Sequence, residues 1–413
     1  MFQCTKFLNK IYERTFIVTI IISFLFAPLL LINLIFFLET VAGLKRHSKR
    51  LASPSVISVV IIIPAHDEAA VIGRTLDRLK TVIASNFTLL VVADNSEDET
   101  AAIARRLSVR VIERHDLEHR GKGHALAFAR DWLLSDPPAA VIVLDADCHS
   151  DGYSLNALAE ACQRTNKPCQ AINLLEPCPS AVPMVQISTF AFLLKNLVRQ
   201  RGLQRLTGGV HLTGTGMCLP WQHFERADLA TSSIVEDVRL GLELAKSGAQ
   251  PQLVEEAMVW SAPSDAAGTL TQRRRWEGGL LTMAQTTAPQ AILRGLKTFD
   301  LSALLSGLDL LVPPLAMLAF FNATALIVAA ILAAFGWSGW APSMMLALVG
   351  SASALAILAA WWREGRQFLT SRTLLRLPFY VLWKVPMYFN LARRGAPSEW
   401  LRTGRPTKTD QEG

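Results

Sequence analysis

The sequence predicts an α/β domain inserted between membrane-spanning helices, and three observations carry that prediction. Apolar residues make up 51% of the 413 residues and charged residues only 18%, where soluble domains carry about a quarter charged. The apolar excess collects at the two ends of the chain. Between the ends, short β-branched runs alternate with helical stretches rich in Ala, Leu and Arg, and each run is followed by acidic residues. This composition excludes intrinsic disorder, which needs low hydrophobicity and high charge, and argues against a wholly soluble protein.

The first element, residues 1–50, is an amino-terminal transmembrane anchor. Phe16 to Leu38 carries no charge and reaches the roughly 20 residues that cross a hydrocarbon core. It is longer than the about 7–15 apolar residues of a signal peptide, and it runs into Lys45, Arg46, Lys49 and Arg50. At the other end, residues 291–362 are expected to hold an interface helix and two spans. Leu301 to Phe335 is apolar apart from Asp309 and is broken by Pro313–Pro314, a pair that no helix runs through smoothly. Residues 315–335 and 341–362 can each span, joined by an uncharged turn with Gly336 and Gly339. Residues 363–413 read as a basic interfacial helix and cytosolic tail. Arg363, Arg366, Arg372, Arg376, Lys384, Arg393 and Arg394 lie among aromatics there, with Phe368, Leu375, Phe379 and Leu382 at near-helical spacing.

Basic residues stay on the cytoplasmic side of spans. That rule predicts three spans in the inner membrane, an external amino terminus and a cytoplasmic domain over about 45–300, although Lys6, Lys10 and Arg14 pull the other way. The net charge of +7 follows from 41 basic against 34 acidic residues; its excess fits membrane lipids as a partner, and no nucleic acid is expected. Six cysteines without a CxxC pair signal neither a disulfide scaffold nor a zinc site and read as reduced thiols.

Ser58–Ile63, Leu89–Val92 and Val141–Leu144 are the strand candidates; Glu68–Ala84, Asp98–Leu107 and Gly123–Leu134 are the helices between them. Strands apolar throughout belong in a parallel sheet covered on both faces, and ligands bind such sheets at the strands' carboxyl ends. The residues after the runs are therefore the informative ones: Pro64-Ala65-His66-Asp67-Glu68, then Asp94-Asn95-Ser96-Glu97-Asp98, then Asp145-Ala146-Asp147. Carboxylates crowded at one edge need a cation, and oxygen ligands suit Mg²⁺ or Mn²⁺. No GxxxxGK[ST] or GxGxxG loop is present; Thr213-Gly214-Thr215-Gly216 is the nearest glycine motif and fits neither.

Two later segments complete the candidates. Ser233 and Glu236 have capping-box spacing, which gives Glu236 a structural role. Asp237 is not needed by the box, and at a helix start its ionised form is favoured, as suits a base. Gln272-Arg273-Arg274-Arg275-Trp276 sets guanidinium groups, which grip phosphate, beside an indole that offers a flat face to a sugar ring.

Taken in order, the DxD at 145–147, the ED at 236–237 and the QxxRW at 272–276 make residues 54–290 resemble a membrane-bound family 2 glycosyltransferase of GT-A (Rossmann-like) fold. Cellulose, hyaluronan and poly-N-acetylglucosamine synthases are similar in kind. The resemblance implies an inverting, UDP-sugar-dependent hexosyltransferase that acts on a polysaccharide or lipid-linked acceptor in exopolysaccharide biosynthesis, with polysaccharide-export proteins as partners. It implies that Pro64, His66 and Glu68 lie along the base and ribose, that Asp94 grips the uracil, and that Lys122 lies beside the donor. It further implies that Asp145 and Asp147 hold the metal, Asp147 more directly, and that Asp237 is the catalytic base. Gln272 and Arg275 would hold the diphosphate, and Trp276, with Glu236, the acceptor end. Ala93 and Val235 depart from the family's common residues, and fewer spans are present than in channel-forming synthases. The competing readings are transfer of a single sugar to a polyprenyl carrier, a catalytically inactive membrane scaffold, and a transporter. The last is weakened by the expectation of only three spans and no intramembrane charge beyond Asp309.

Overall fold

The computed structural model describes residues 2–46, 55–231, 233, 235–262 and 266–394, without the side chains of 2–11, 266–272, 275, 392 and 394. Lys49, Arg50, the side chains of Lys6, Lys10, Gln272 and Arg275, and the tail 395–413 thus lie outside the described residues.

The chain opens with one long helix, α1 (Phe2–Leu44), whose segment Tyr12–Leu44 is apolar enough to cross a membrane. The α/β region follows as β1 (Val59–Ala65), α2 (Ala69–Val82), β2 (Phe87–Asp94), α3 (Thr100–Arg106), β3 (Arg110–Arg114), α4 (Lys122–Leu133) and β4 (Ala140–Val143). Then come β5 (Cys148–His149), α5 (Gly152–Thr165), β6 (Cys169–Leu175) and α6 (Pro183–Leu193), the last continuing through a π-helical stretch (Leu194–Arg199) into α7 (Gln200–Thr207). The region closes with β7 (Met217–Pro220), α8 (Trp221–Glu225), α9 (Glu236–Lys246) and β8 (Gln252–Ser261).

Alternate residues of each strand enter opposite cores. Ile61, Ile63, Leu89, Val91 and Ile142 pack against Ile72, Leu76, Leu155 and Leu158 of α2 and α5. Val60, Ile62, Leu90, Val92 and Val141 pack against Leu126, Ala129, Leu240 and Leu244 of α4 and α9. Burial on both faces is why these runs read as continuously apolar. The strand order is β3-β2-β1-β4-β7-β6-β8-β5. The all-parallel sheet expected from the sequence holds for β1, β2, β3 and β4 and again between β6 and β8, but it is broken elsewhere: β7 is antiparallel to both β4 and β6, and β5 to β8. The reason lies in the later strands. β7 has four residues, and β6 and β8 carry Gln170, Asn173, Glu255 and Glu256, so no clean apolar run marked them.

The chain continues through α10 (Ala266–Thr286), α11 (Ala288–Thr298), α12 (Leu301–Asp309), α13 (Leu315–Ala334), α14 (Ala341–Ala360), α15 (Ser371–Leu374) and α16 (Leu377–Arg394). Pro313–Pro314 separates α12 from α13 as expected, with Pro314 at the N-cap. Together with α1, the stretches Leu315–Ala334 and Ala341–Gly365 are the three helices among the described residues long and apolar enough to span.

The helix α1 is not tethered loosely. A Cβ on Gly202 would sit 1.9 Å from the Glu39 carbonyl oxygen, and one on Gly43 1.8 Å from that of Val198, so α1 and the π-helix/α7 segment cross at backbone contact that only glycine permits. Buried charge crosses with them. Arg199 pairs with Glu39 at 2.8 Å and with Asp309, which also faces His211 at 3.0 Å. Arg201 pairs with Glu255 at 2.7 Å and Glu364 at 3.2 Å, and Glu364 with Arg46 at 2.8 Å. The expectation that Asp309 stands without a charge network is corrected here. The partners lie on five stretches far apart in sequence.

The tail reading is corrected in part. Leu375, Phe379 and Leu382 face outward with exposures of 80%, 72% and 64%, the apolar face expected of an interfacial helix. Phe368, by contrast, is buried and stacks on Trp260 at 6.4 Å, and Lys384 is buried against Glu277. These two residues dock the segment onto the protein.

Candidate active site

The carboxyl ends of β1, β2 and β4 open into one cleft of about 2120 Å³ that runs on towards α13, α14 and α16. Drug-sized ligand pockets are about 300–1,000 Å³, so this one has room for two substrates. At the end of β1, His66 Nδ1 lies 2.8 Å from the Asp94 carbonyl oxygen, and the Glu68 N–H donates to Thr100 Oγ1 at 2.8 Å. Asp98 from the next loop accepts from the Ala69 N–H at 3.0 Å, satisfying a donor at the start of α2. Asp67 and Asn95 both adopt positive φ (52° and 51°), conformations that Asp and Asn tolerate best. At the end of β2, the buried Asp94 accepts from Arg114 Nη1 at 2.7 Å and Asn95 Nδ2 at 3.1 Å. Burial raises the Asp94 carboxyl above its usual range, and Arg114 opposes the rise.

The acidic pair after β4 is held by its middle residue. Ala146 is buried and its carbonyl accepts from Thr75 Oγ1 at 2.7 Å, leaving Asp145 and Asp147 on the cleft side. One ligand atom each from Asp145, Asp147 and Cys148 lie within 4.8 Å of one another. Burial pushes the Cys148 thiol far up and it pairs with Ser261 Oγ at 3.2 Å, and the two carboxylates supply the hard oxygen ligands. That set fits Mg²⁺ or Mn²⁺.

Lys122, at the start of α4, donates to Asp145 and, at 2.6 Å, to the Gly214 carbonyl. Burial alone would lower its pKa, but Asp145, Glu236 and Asp237 hold it above the usual lysine value. Gly214 has φ +81°, and a Cβ there would meet Asp237 Oδ2 at 3.2 Å and Lys122 Nζ at 3.7 Å. Its missing side chain is what lets the metal-side lysine and Asp237 converge. Asp237 Oδ1 accepts from the Val238 N–H at 2.8 Å. Burial raises its pKa, and Val238, Lys122 and Lys195 oppose the rise.

The capping box is not formed. The N-cap of α9 is Val235, without a side-chain cap, and Ser233 Oγ accepts from the Val235 N–H at 3.3 Å. Glu236 is therefore the first helical residue and lines the cleft; burial, with Asp237 beside it, pushes its carboxyl to about 8. At neutral pH it keeps its proton.

The cleft thus gathers Pro64, His66, Glu68, Asp94, Lys122, Asp145, Asp147, Glu236, Asp237 and Trp276. Trp276 lies 5.3 Å from the Phe192 ring, with the Arg273 guanidinium 5.5 Å over it. Gln272 and Arg275 lie on α10, with side chains outside the described residues. Several cleft residues were missed in the sequence. Gln170 Oε1 accepts from the Thr213 N–H at 2.9 Å and Thr215 Oγ1 from the Asp145 N–H at 3.1 Å, so the Thr213–Gly216 loop is part of the site. Its carbonyls accept from Lys122 Nζ and Gln170 Nε2, side chains far from it in sequence. Lys195 and Arg114 had no motif at all.

A mixed sheet with acidic strand ends, a helix-borne aspartate and an aromatic-cation patch around one cleft defines a nucleotide-sugar transferase of GT-A type. Residues 54–279 match the family described as Glycosyltransferase like family 2, over half of the chain, and the chain belongs to it. A mannosyltransferase from Pyrobaculum calidifontis, solved with GDP-mannose and Mn²⁺, is 19% identical and superposes with a TM-score of 0.54 over 89% of this chain and 99% of that one. Glucosyl-3-phosphoglycerate synthase from Mycobacterium tuberculosis, solved with Mn²⁺, UDP and glucosyl-3-phosphoglycerate, is 16% identical with a TM-score of 0.37, over 55% of this chain and 80% of that one. An uncharacterized protein of Methanocaldococcus jannaschii is 33% identical over 104 residues, 25% of this chain, and the match spans only 41% of that relative's length.

Proposed function

We propose that the protein is an inverting transferase that moves a sugar from a UDP-sugar to a hydroxyl of a saccharide or lipid-linked acceptor at the inner face of the cell membrane, in exopolysaccharide assembly. The observation that carries this reading is the convergence of Asp145, Lys122 and Asp237 around Gly214 within one cleft. Asp94, at the far edge, takes the base of the nucleotide, with Pro64, His66 and Glu68 along the ribose. Asp145 and Asp147 hold Mg²⁺ or Mn²⁺. The ion supplies charge neutralisation on the diphosphate as it departs. Lys122 adds a second positive charge on the same side. Asp237 accepts the proton of the acceptor hydroxyl, Glu236 holds its own proton and donates a hydrogen bond to the acceptor, and Trp276 offers a face to its sugar. Gln272 and Arg275 hold the diphosphate. Attack from the face opposite the leaving group turns an α-linked donor into a β-linked product. The cytoplasmic placement of 54–290 follows from the basic stops after the first and last spans, and it puts the site where nucleotide sugars are made; membrane lipids and polysaccharide-export proteins are the expected neighbours.

The test is binding and transfer by the full-length protein in detergent. UDP should bind only with Mn²⁺ or Mg²⁺, and Asp147→Asn should abolish that dependence; transfer that survives exhaustive EDTA treatment refutes the reading. A panel of UDP-sugars identifies the donor. GDP-mannose, the ligand named for the Pyrobaculum enzyme, is the comparison arm, and tighter binding of GDP than UDP overturns the uridine assignment.

A further inference from the structure

A carboxylate that reads a nucleotide base has about four lone pairs to offer, two on each oxygen. Asp94 does not have all of them free. Its Oδ1 accepts from Arg114 Nη1 at 2.7 Å and from Asn95 Nδ2 at 3.1 Å, which takes up both lone pairs of that atom. Oδ2 has no hydrogen-bond partner among the described residues. Asp94 lines the cleft, and Arg114 is buried beside it. One oxygen is engaged inside the protein and one is left for a ligand.

A network keeps the two donors on Oδ1 in place. Arg114 Nη2 donates to Asp116 Oδ2 at 2.9 Å and to the His119 carbonyl at 2.7 Å, so the guanidinium is fixed at both ends. Asn95 Oδ1 accepts from the Asp116 N–H at 2.7 Å, and its Nδ2 also donates to the Asp116 carbonyl at 3.1 Å; these partners set the orientation of the amide. Asp116 Oδ1 in turn accepts from the Glu118 and His119 N–H groups at 3.1 and 3.0 Å. Arg114 also opposes the rise that burial imposes on the Asp94 carboxyl. It thereby favours the ionised form, in which Oδ2 only accepts.

The bases differ in the donors they present side by side. Uracil presents one, N3–H, between two carbonyl oxygens. Guanine presents two, N1–H and the N2 amino group, in parallel. Adenine and cytosine set an acceptor nitrogen beside their amino group, which a carboxylate repels. A carboxylate with both oxygens free pairs with both guanine donors. With one oxygen free, the second guanine donor is buried without a partner and loses its desolvation energy outright.

We infer that Arg114 is a positioning residue that sets base specificity: by occupying Oδ1 of Asp94 it leaves a single acceptor, which selects the one-donor base uracil against guanine. This rests on the transferase reading above and adds the residue that decides the nucleotide. Arg114 does not touch the base; it acts through Asp94.

UDP, N3-methyl-UDP, GDP and IDP, titrated with Mn²⁺ into the full-length protein in neutral detergent, test this, the purine nucleotides being read as competitors of UDP. Hypoxanthine is guanine without the amino group, so IDP and GDP differ only in the second donor. In the wild type UDP should bind tighter than N3-methyl-UDP, and IDP tighter than GDP. Each gap should be about 5- to 150-fold, the effect of one buried group left unpaired. Arg114→Met returns a lone pair of Oδ1 to the ligand, so GDP should rise to the level of IDP or above it. An Arg114 that only held the fold together would weaken all four nucleotides alike and leave their order unchanged. The inference is overturned by GDP binding as tightly as IDP in the wild type, or by N3-methyl-UDP binding as tightly as UDP. An unchanged IDP-to-GDP ratio in a folded Arg114→Met protein overturns it as well. If that variant does not fold, the wild-type comparisons decide. Absence of Mn²⁺-dependent binding by all four nucleotides refutes the transferase reading, whereas Mn²⁺-dependent binding in the wrong order refutes this inference alone.

Discussion

Replacing Asp237 by Asn is the sharpest test of the chemistry, because the geometry separates what is lost from what is kept. An asparagine Oδ1 can still accept from the Val238 N–H, now 2.8 Å from the aspartate, so the start of α9 holds. What disappears is the proton acceptor and the negative charge facing Lys122 and Lys195. Loss of a general base lowers the rate by about 10²–10⁴-fold, or roughly 2.7–5.4 kcal/mol of transition-state stabilisation. Nucleotide affinity should change little, since Asp94, Asp145 and Asp147 are untouched. The substitution has a second signature: Asp237 is one cause of the high Glu236 pKa of about 8, so that pKa should fall in the variant. The assay pairs single-turnover sugar transfer with UDP–Mn²⁺ titration on the same preparation. Transfer within a few-fold of wild type, or a loss of UDP binding as large as the loss of transfer, refutes the assignment of Asp237 as base.

Three further outcomes are expected. Arg199→Met leaves Glu39 and Asp309 without their shared cation, and breaking a buried pair costs about 3–5 kcal/mol; a thermal melt in detergent unchanged from wild type would contradict this. Gly202→Val drives a side chain into the Glu39 carbonyl, so α1 should come away from α7, seen as new protease cleavage near residues 43–55 and a loss of activity without change in the catalytic residues. Glu236→Gln reports on pH. The folded protein holds a proton with pKa about 8 that the unfolded chain releases near 4.5, so this group's stabilisation is full below about pH 4.5 and is lost as pH rises through about 8. The wild-type melting temperature should therefore fall between pH 5 and 8 more steeply than that of Glu236→Gln, and coincident slopes would rule out the raised pKa.

Local pattern determined a good part of this protein. The β1, β2 and β4 runs were legible because residues buried on both faces of a sheet must be apolar throughout, and the acidic residues that follow them stand out against such runs. The three helices long and apolar enough to span were legible because uninterrupted apolar length is visible in the sequence, and Pro313–Pro314 marked its own break. Asp145, Asp147 and Asp237 could be picked out for the same reason: charge beside an apolar run, or at a helix start, is visible in one dimension. The tertiary structure alone decided the rest. The antiparallel β7, the displacement of Glu236 from a cap into the cleft, the Thr213–Gly216 loop against Lys122, and the Glu39–Arg199–Asp309–His211 cluster all join residues far apart in sequence or depend on one residue of helix register. Lys195 is a further case: a lysine in an apolar helix carries no signal until the folded chain shows that Arg199 and Lys384 are paired and that, among the described residues, it is not. Pairing between distant charges is set by the geometry of packing, and composition and spacing along a chain do not encode it.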